Sequence, residues 1–181
     1  MRKVTYGGAI SLDGFLAGPG ESIDWLRHSD DTAKIAAESF RGVDSMLMGR
    51  KTWEFAQRMG GRPPLKGVTT YVFSRTLESV GEGATLVKED AAEFVRRMKG
   101  EAGGPSSSLA TSNILVMGGG EIGSALLEAG LVDEVGFSIH PVLLGGGVPA
   151  FQPFTHRVGL ELIETRPLAN DCVLVRYGVV N

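Results

Sequence analysis

Short apolar runs that stop at glycine and give way to helical patterns recur along this 181-residue chain, and they constrain its fold more than any other feature. Ser45-Met46-Leu47-Met48 is a continuous apolar strand ended by Gly49, and Thr52-Trp53-Glu54-Phe55 then opens a helix lasting to about Met59. Ile114 to Met117 reads as a central strand, Gly118 to Gly120 as a tight turn, and Glu121 to Ala129 as a helix stopped by Gly130. Val4 to Ile10 is a buried strand running into the turn Ser11-Leu12-Asp13-Gly14. Phe15 to Ser29 is irregular, and Asp30-Asp31 start a helix over 30–42. Thr69 to Ser74 and Thr85 to Val87 are further strands, and Ala91 to Met98 is a helix with Phe94, Val95 and Met98 inward.

Alternation of this kind builds a parallel sheet. Glu134 to Val142, Glu161 to Arg166 and Cys172 to Val179 then follow one another without helices, which requires antiparallel pairing at one side. The expectation is one α/β domain over residues 1–181, with a mixed, mostly parallel central sheet flanked by helices and antiparallel C-terminal strands. Gly100 to Ser112, with Gly103-Gly104-Pro105 and three serines, has the composition of a flexible surface loop.

The net charge of -3 lacks the basic excess that binding to nucleic acid requires. One cysteine, Cys172, and three scattered histidines offer no disulfide and no metal spacing, so no metal is expected and a reducing cytoplasm fits best. Neither a signal peptide nor a run of ~18 apolar residues is present, so no membrane partner is expected. Glycine is the anomaly: 26 residues, about twice the usual share, gathered in clusters that mark tight turns and close backbone approaches.

Two strand-to-helix turns carry candidate chemistry. Gly118-Gly119-Gly120-Glu121-Ile122-Gly123 matches G-x-G-x-x-G, and its bare N–H groups at a helix start suit a phosphate. It comes too late in the chain for an ordinary dinucleotide fingerprint, and a turn that only lets strand and helix pack closely stays open as an alternative. Met48-Gly49-Arg50-Lys51-Thr52-Trp53-Glu54 places two cations at a helix start, where they oppose the helix dipole unless an anion binds. The alternative is solvated surface charges over a packed Trp53. Ser74 and Arg75, at the end of the next strand, suit the 2′-phosphate that separates NADPH from NADH.

This constellation resembles the dihydrofolate reductase superfamily, and within it the branch holding the C-terminal reductase domain of bacterial riboflavin-biosynthesis deaminase-reductases. The likeness covers nearly the whole chain. It is carried by Ser11-Leu12-Asp13-Gly14, by Met48-Gly49-Arg50-Lys51-Thr52-Trp53, by Met117-Gly118-Gly119-Gly120, and most specifically by His140-Pro141-Val142-Leu143-Leu144-Gly145-Gly146-Gly147.

The resemblance implies a dihydrofolate reductase-like fold with a mixed eight-stranded sheet and an NADPH-dependent reductase. Its nearest activity is reduction of 5-amino-6-(5-phosphoribosylamino)uracil, with a dihydrofolate-like pterin as second substrate and an inactive nucleotide-binding module as a third possibility. Gly49, Arg50, Lys51, Thr52, Ser74 and Arg75 would meet the adenosine-phosphate end, and Gly118, Gly119, Gly120, Glu121 and Ile122 the pyrophosphate. Ala9, Ile10 and Leu16 would meet the nicotinamide. The superfamily's first-helix carboxylate maps to Asp30, beside Asp31, as proton donor or substrate ligand; capping of that helix is the alternative. Asp13 maps to an acid associated with substrate, or is merely a turn residue. Trp25 is a substrate wall or a packing residue. His140 is more simply a hydrogen-bonded structural residue than a catalyst. Met117 stands where the riboflavin branch carries glutamate, which argues against that substrate. The C-terminal strand edges suit a homodimer.

Overall fold

A computed structural model describes residues 1–61, 65–100 and 112–180. The elements run β1 (Val4–Ser11), β2 (Phe15–Ala17), α1 (Asp30–Ser39), β3 (Val43–Gly49), α2 (Arg50–Arg58), β4 (Thr69–Phe73), β5 (Ala84–Val87) and α3 (Ala91–Gly100). They continue through β6 (Asn113–Met117), α4 (Gly120–Glu128), β7 (Glu134–His140), β8 (Val148–Pro149), β9 (Gly159–Pro167) and β10 (Val173–Val180). Of the expected loop Gly100 to Ser112, residues 101–111 lie outside the described residues.

Eight strands form one sheet in the order β5-β4-β3-β6-β1-β7-β10-β9. The first six are parallel, while β10 runs antiparallel to both β7 and β9, as the run of strands without helices requires. The sequence reading omits a second, two-stranded ribbon in which β2 pairs with β8. α2 starts at Arg50, two residues before the expected Thr52, which brings Arg50 and Lys51 inside its first turn. α1 stops at Ser39 rather than 42, because Gly42 takes a left-handed φ of 73° and turns the chain into β3.

The core lies where α3 and α4 cover one face of the sheet. Leu47, Val116, Tyr6, Val135 and Phe137 from the strands meet Phe94, Val95 and Met98 of α3 and Leu126 and Leu127 of α4. α4 approaches very closely: a Cβ on Gly123 would come within 2.4 Å of the Tyr6 ring. The other face is different. No residue of α1 or α2 is fully buried, and a space opens on this side of the sheet.

Candidate functional site

That space opens at the C-terminal ends of β1, β3, β4 and β6, where open α/β sheets place their ligands. The cleft has a volume of about 1550 Å³, above the roughly 300–1,000 Å³ of a single small-ligand pocket and enough for a dinucleotide beside a second molecule. Two helices begin on its wall. Gly49 caps α2 and Gly119 caps α4, neither with a side chain that could bond the first-turn N–H groups, so those donors are left for a ligand. The two starts lie side by side, since a Cβ on Gly119 would be 3.5 Å from the Gly49 nitrogen. Gly118 and Gly119 both hold left-handed φ, 60° and 61°, which makes this tight turn possible. A Cβ on Gly118 would meet Thr52 at 2.8 Å.

Cations surround these starts. Arg50 is half-exposed and its guanidinium lies 3.0 Å from Glu54 one turn on. Lys51 and Arg75 are exposed and pair with no carboxylate among the described residues. The Ser74 hydroxyl accepts the N–H groups of Thr76 and Leu77 at 3.2 and 3.0 Å, which folds the loop carrying Arg75. Glu121 occupies the first turn of α4, favourably for the dipole, and also faces the cleft.

Thirteen expected cofactor contacts therefore line one cleft: Ala9, Leu16, Gly49, Arg50, Lys51, Thr52, Ser74, Arg75, Gly118, Gly119, Gly120, Glu121 and Ile122. Ile10 does not. It is buried in the core cluster, because alternation along β1 turns it away from Ala9. The third glycine of the motif, Gly123, is also absent from the wall and serves the contact with Tyr6.

The expected acids are placed elsewhere. Asp30 is exposed and Asp31 accepts the Ala169 N–H at 3.2 Å on the outer side of α1, so neither faces the cleft. The helix start explains them: Ser29 and Thr32 form a reciprocal capping box, which puts both acids in a first turn where the dipole favours them. Asp13 lies outside the cleft too. Its carboxylate accepts the N–H groups of Leu144 and Gly145 at 3.0 and 2.7 Å and the Ser11 hydroxyl at 2.6 Å. The Ser11 bond, aided by the two amides against a desolvation cost, holds it below the usual carboxylate range. Asp13 is thus a clasp between the β1–β2 turn and the glycine-rich loop before β8, and it sets the β2–β8 ribbon that forms the near wall.

Trp25 is likewise outside the cleft, donating to the Ser22 carbonyl at 3.1 Å and resting edge-on against His140. His140 is buried. Its Nδ1 accepts the Arg27 N–H at 3.1 Å, and burial first, then the nearby His28 and Arg27 charges, lower its pKa. These contacts tie β7 to the segment before α1 and agree with a structural role. Trp53, read from the sequence only as a packing residue of its motif, lies on the cleft wall, as do Met46, Phe55, Ile23, Leu26 and Lys88, which sequence reasoning did not single out. Lys88 carried a usable signal, since it follows the end of a parallel strand as Arg50 and Arg75 do.

The RibD C-terminal domain model matches residues 2–103 and 107–174. The chain is 32% identical over 167 residues to the uncharacterized protein YwjB of Bacillus subtilis, covering 91% of each. It is 27% identical to that organism's uncharacterized protein YyaP, covering 98% of this chain and 95% of the relative. Among solved structures, a protein assigned to riboflavin biosynthesis from Shewanella sp. PV-4 superposes with TM-score 0.81 at 23% identity over the whole of both chains. Dihydrofolate reductase from Enterococcus faecalis, complexed with NADP(H), superposes with TM-score 0.69 at 17% identity over 99% and 97% of the two chains. At these identities the solved structures establish a shared dihydrofolate reductase-like fold.

Proposed function

The chain belongs to the RibD C-terminal domain family, and on that premise we propose that it is an NADPH-dependent reductase acting on a small heterocyclic substrate. One observation carries this reading: two uncapped helix N-termini converge on a single large cleft ringed by Arg50, Lys51, Arg75 and Lys88. Oriented N–H groups and cations at strand ends are what a phosphate-rich dinucleotide needs, and cations in a helix first turn are otherwise unfavourable.

NADPH, when bound, supplies the hydride. The α2 and α4 starts hold phosphate, Arg75 recognises the 2′-phosphate, and Ala9 and Leu16 give the nicotinamide a flat apolar wall that excludes water. None of Asp13, Asp30 and Asp31 faces the cleft, so these carboxylates do not deliver the proton. The same placement favours a second reading, a module that binds the nucleotide without turnover.

Titration with NADPH and NADH, following quenching of the cleft residue Trp53, tests the reading. NADPH should bind saturably and more tightly, and Arg75→Ala should remove most of that preference. A charge-assisted contact of about 1.5–3 kcal/mol corresponds to roughly a 10- to 150-fold loss. Folded protein that binds neither nucleotide rules out the reductase; NADPH binding without oxidation by any acceptor selects the binding module.

A further inference from the structure

The outermost ribbon of the sheet, β9 with β10, has two unlike faces. On one, a chain of ion pairs runs from Lys3 through Glu134, Arg176, Glu164 and Arg166 to Glu38 of α1. The other is uncharged: Leu160, Leu162 and Thr165 of β9 stand directly across from Val179, Tyr177 and Val175 of β10. Pairing with β7 sets Val175 beside Phe137 and Tyr177 beside Val135, so this is the face that α3 and α4 cover further along the sheet. Phe151, against Phe137, and Phe154, against Phe151, extend that cover a little. It does not reach β9, where Leu160 and Leu162 are 48% and 58% exposed. An antiparallel ribbon turns its apolar face to a core and its charges to water. Here the apolar face is left open among the described residues, as contact surfaces are.

The free edge of β9, which the sequence suggested for pairing, is blunted. Ile163 is an extra residue opposite the step from Arg176 to Tyr177, a bulge that bends the strand, and the strand ends in Pro167, which has no N–H to donate. The face suits contact better. It carries no charge to select an acidic or basic partner or a surface of lipid headgroups. A strand face packs on another strand face about 10 Å away, and a second copy supplies the same flat, uncharged one, so that a two-fold axis lets each ribbon cover the other. The area suffices. Nine residues at ~3.4 Å make the ribbon about 30 Å long, and with the Phe151 and Phe154 flank it is roughly 20 Å wide, so two copies would bury about 1,200 Å² in all, the lower end of stable interfaces.

We infer that the protein is a two-fold dimer held by the uncharged faces of its β9–β10 ribbons, with Leu160, Leu162 and Tyr177 of one protomer packed on those of its partner. None of the three lines the cleft, so the contact is independent of what binds there. Ile163 provides an internal control. It is 52% exposed and equally apolar, but it lies on the ion-paired face: a Cβ on Gly178, which pairs with Glu134, would be 3.7 Å from its Cδ1.

Sedimentation velocity across a dilution series tests it, with the fold of each protein checked by circular dichroism and thermal unfolding. The parent should sediment at about twice the chain mass of 19.2 kDa. Leu162→Arg places an unpaired cation in the contact twice over and should weaken the dimer about 100-fold or more, yet leave the protomer folded because Leu162 is exposed within it. Leu160→Asp, on the same face, should act alike. Ile163→Arg should leave the dimer intact. A parent that is monomeric at every concentration overturns the inference, whatever other protein or lipid vesicle it binds. So does a dimer that survives both Leu162→Arg and Leu160→Asp, or one that Ile163→Arg dissolves equally.

Discussion

Replacing Gly123 by alanine separates the scaffold role of the glycine run from any ligand role. The new Cβ would lie 2.4, 2.6 and 2.7 Å from three atoms of the Tyr6 ring. That ring has nowhere to go. It is fully buried, its hydroxyl donates to the Ala150 carbonyl, and it stands edge-on to Phe137 and Phe151 at centroid distances of 5.2 and 5.8 Å. Alanine gains about 1 kcal/mol in helix propensity over glycine. Overpacking costs about 1–3 kcal/mol, and a ring pinned at its tip belongs in the upper part of that range. The net expectation is destabilisation by about 1–2 kcal/mol. At roughly 2–4 °C per kcal/mol for a chain of this size, Tm falls by about 2–8 °C. Urea and thermal unfolding measure it directly. In a Tyr6→Leu background the clash disappears and the same change should become stabilising by up to about 1 kcal/mol. Nucleotide affinity well below Tm should not move, because Gly123 is off the cleft wall. A Gly123→Ala protein as stable as the parent refutes the packing argument. One that unfolds normally but loses NADPH refutes the placement.

Two further outcomes follow from the clasp and the buried imidazole. Asp13→Ala should speed hydrogen exchange at the Leu144 and Gly145 amides and reduce turnover without abolishing it; lost turnover with unchanged exchange would return Asp13 to the chemistry. Because the folded state holds the Asp13 carboxyl below its ordinary 3.8, its contribution is present above that pH and fades as acid titrates it, so amide protection in the loop should fall there even in the parent. For His140 the sign differs: a histidine with a lowered folded pKa lets the unfolded chain take the proton first, so stability is flat above the ordinary 6.5 and drops below it. His140→Gln should flatten that fall in pH-dependent urea titrations, and an unchanged slope would assign it to other groups.

What could be read from the sequence divides along a physical line. β3 with α2 and β6 with α4 are legible because each carries its whole signal locally: an apolar run, a glycine, a helical pattern. The β2–β8 ribbon is not, since strands of three and two residues have no period to read and their pairing depends on partners far apart in the chain. Asp13 fails for the same reason, its partner Leu144 lying 131 positions away. Asp30 and Asp31 fail differently: an acid after Ser29 looks the same whether it caps a helix or serves a reaction, and only the third dimension shows which way it faces.

Lys51 argues why the cations were the better guide to the site than the glycines. Each glycine of the run is demanded by the scaffold: Gly118 and Gly119 by left-handed backbone, Gly120 by the Pro149 carbonyl, which a Cβ would meet at 2.3 Å, and Gly123 by Tyr6. Such residues would be there with or without a ligand. Lys51 has no structural reason. It is exposed, has no carboxylate partner among the described residues, and stands in the first turn of α2, where the dipole disfavours a positive charge. A residue that costs stability where it stands marks function. Lys51→Glu should therefore stabilise the free protein by about 0.3–1 kcal/mol at low salt while weakening NADPH, a combination that neither a packing residue nor an idle surface charge would give. Denaturant titration of the free protein beside NADPH titration reads both. If the variant is less stable, or more stable with unchanged affinity, the anion-binding role of this turn is wrong.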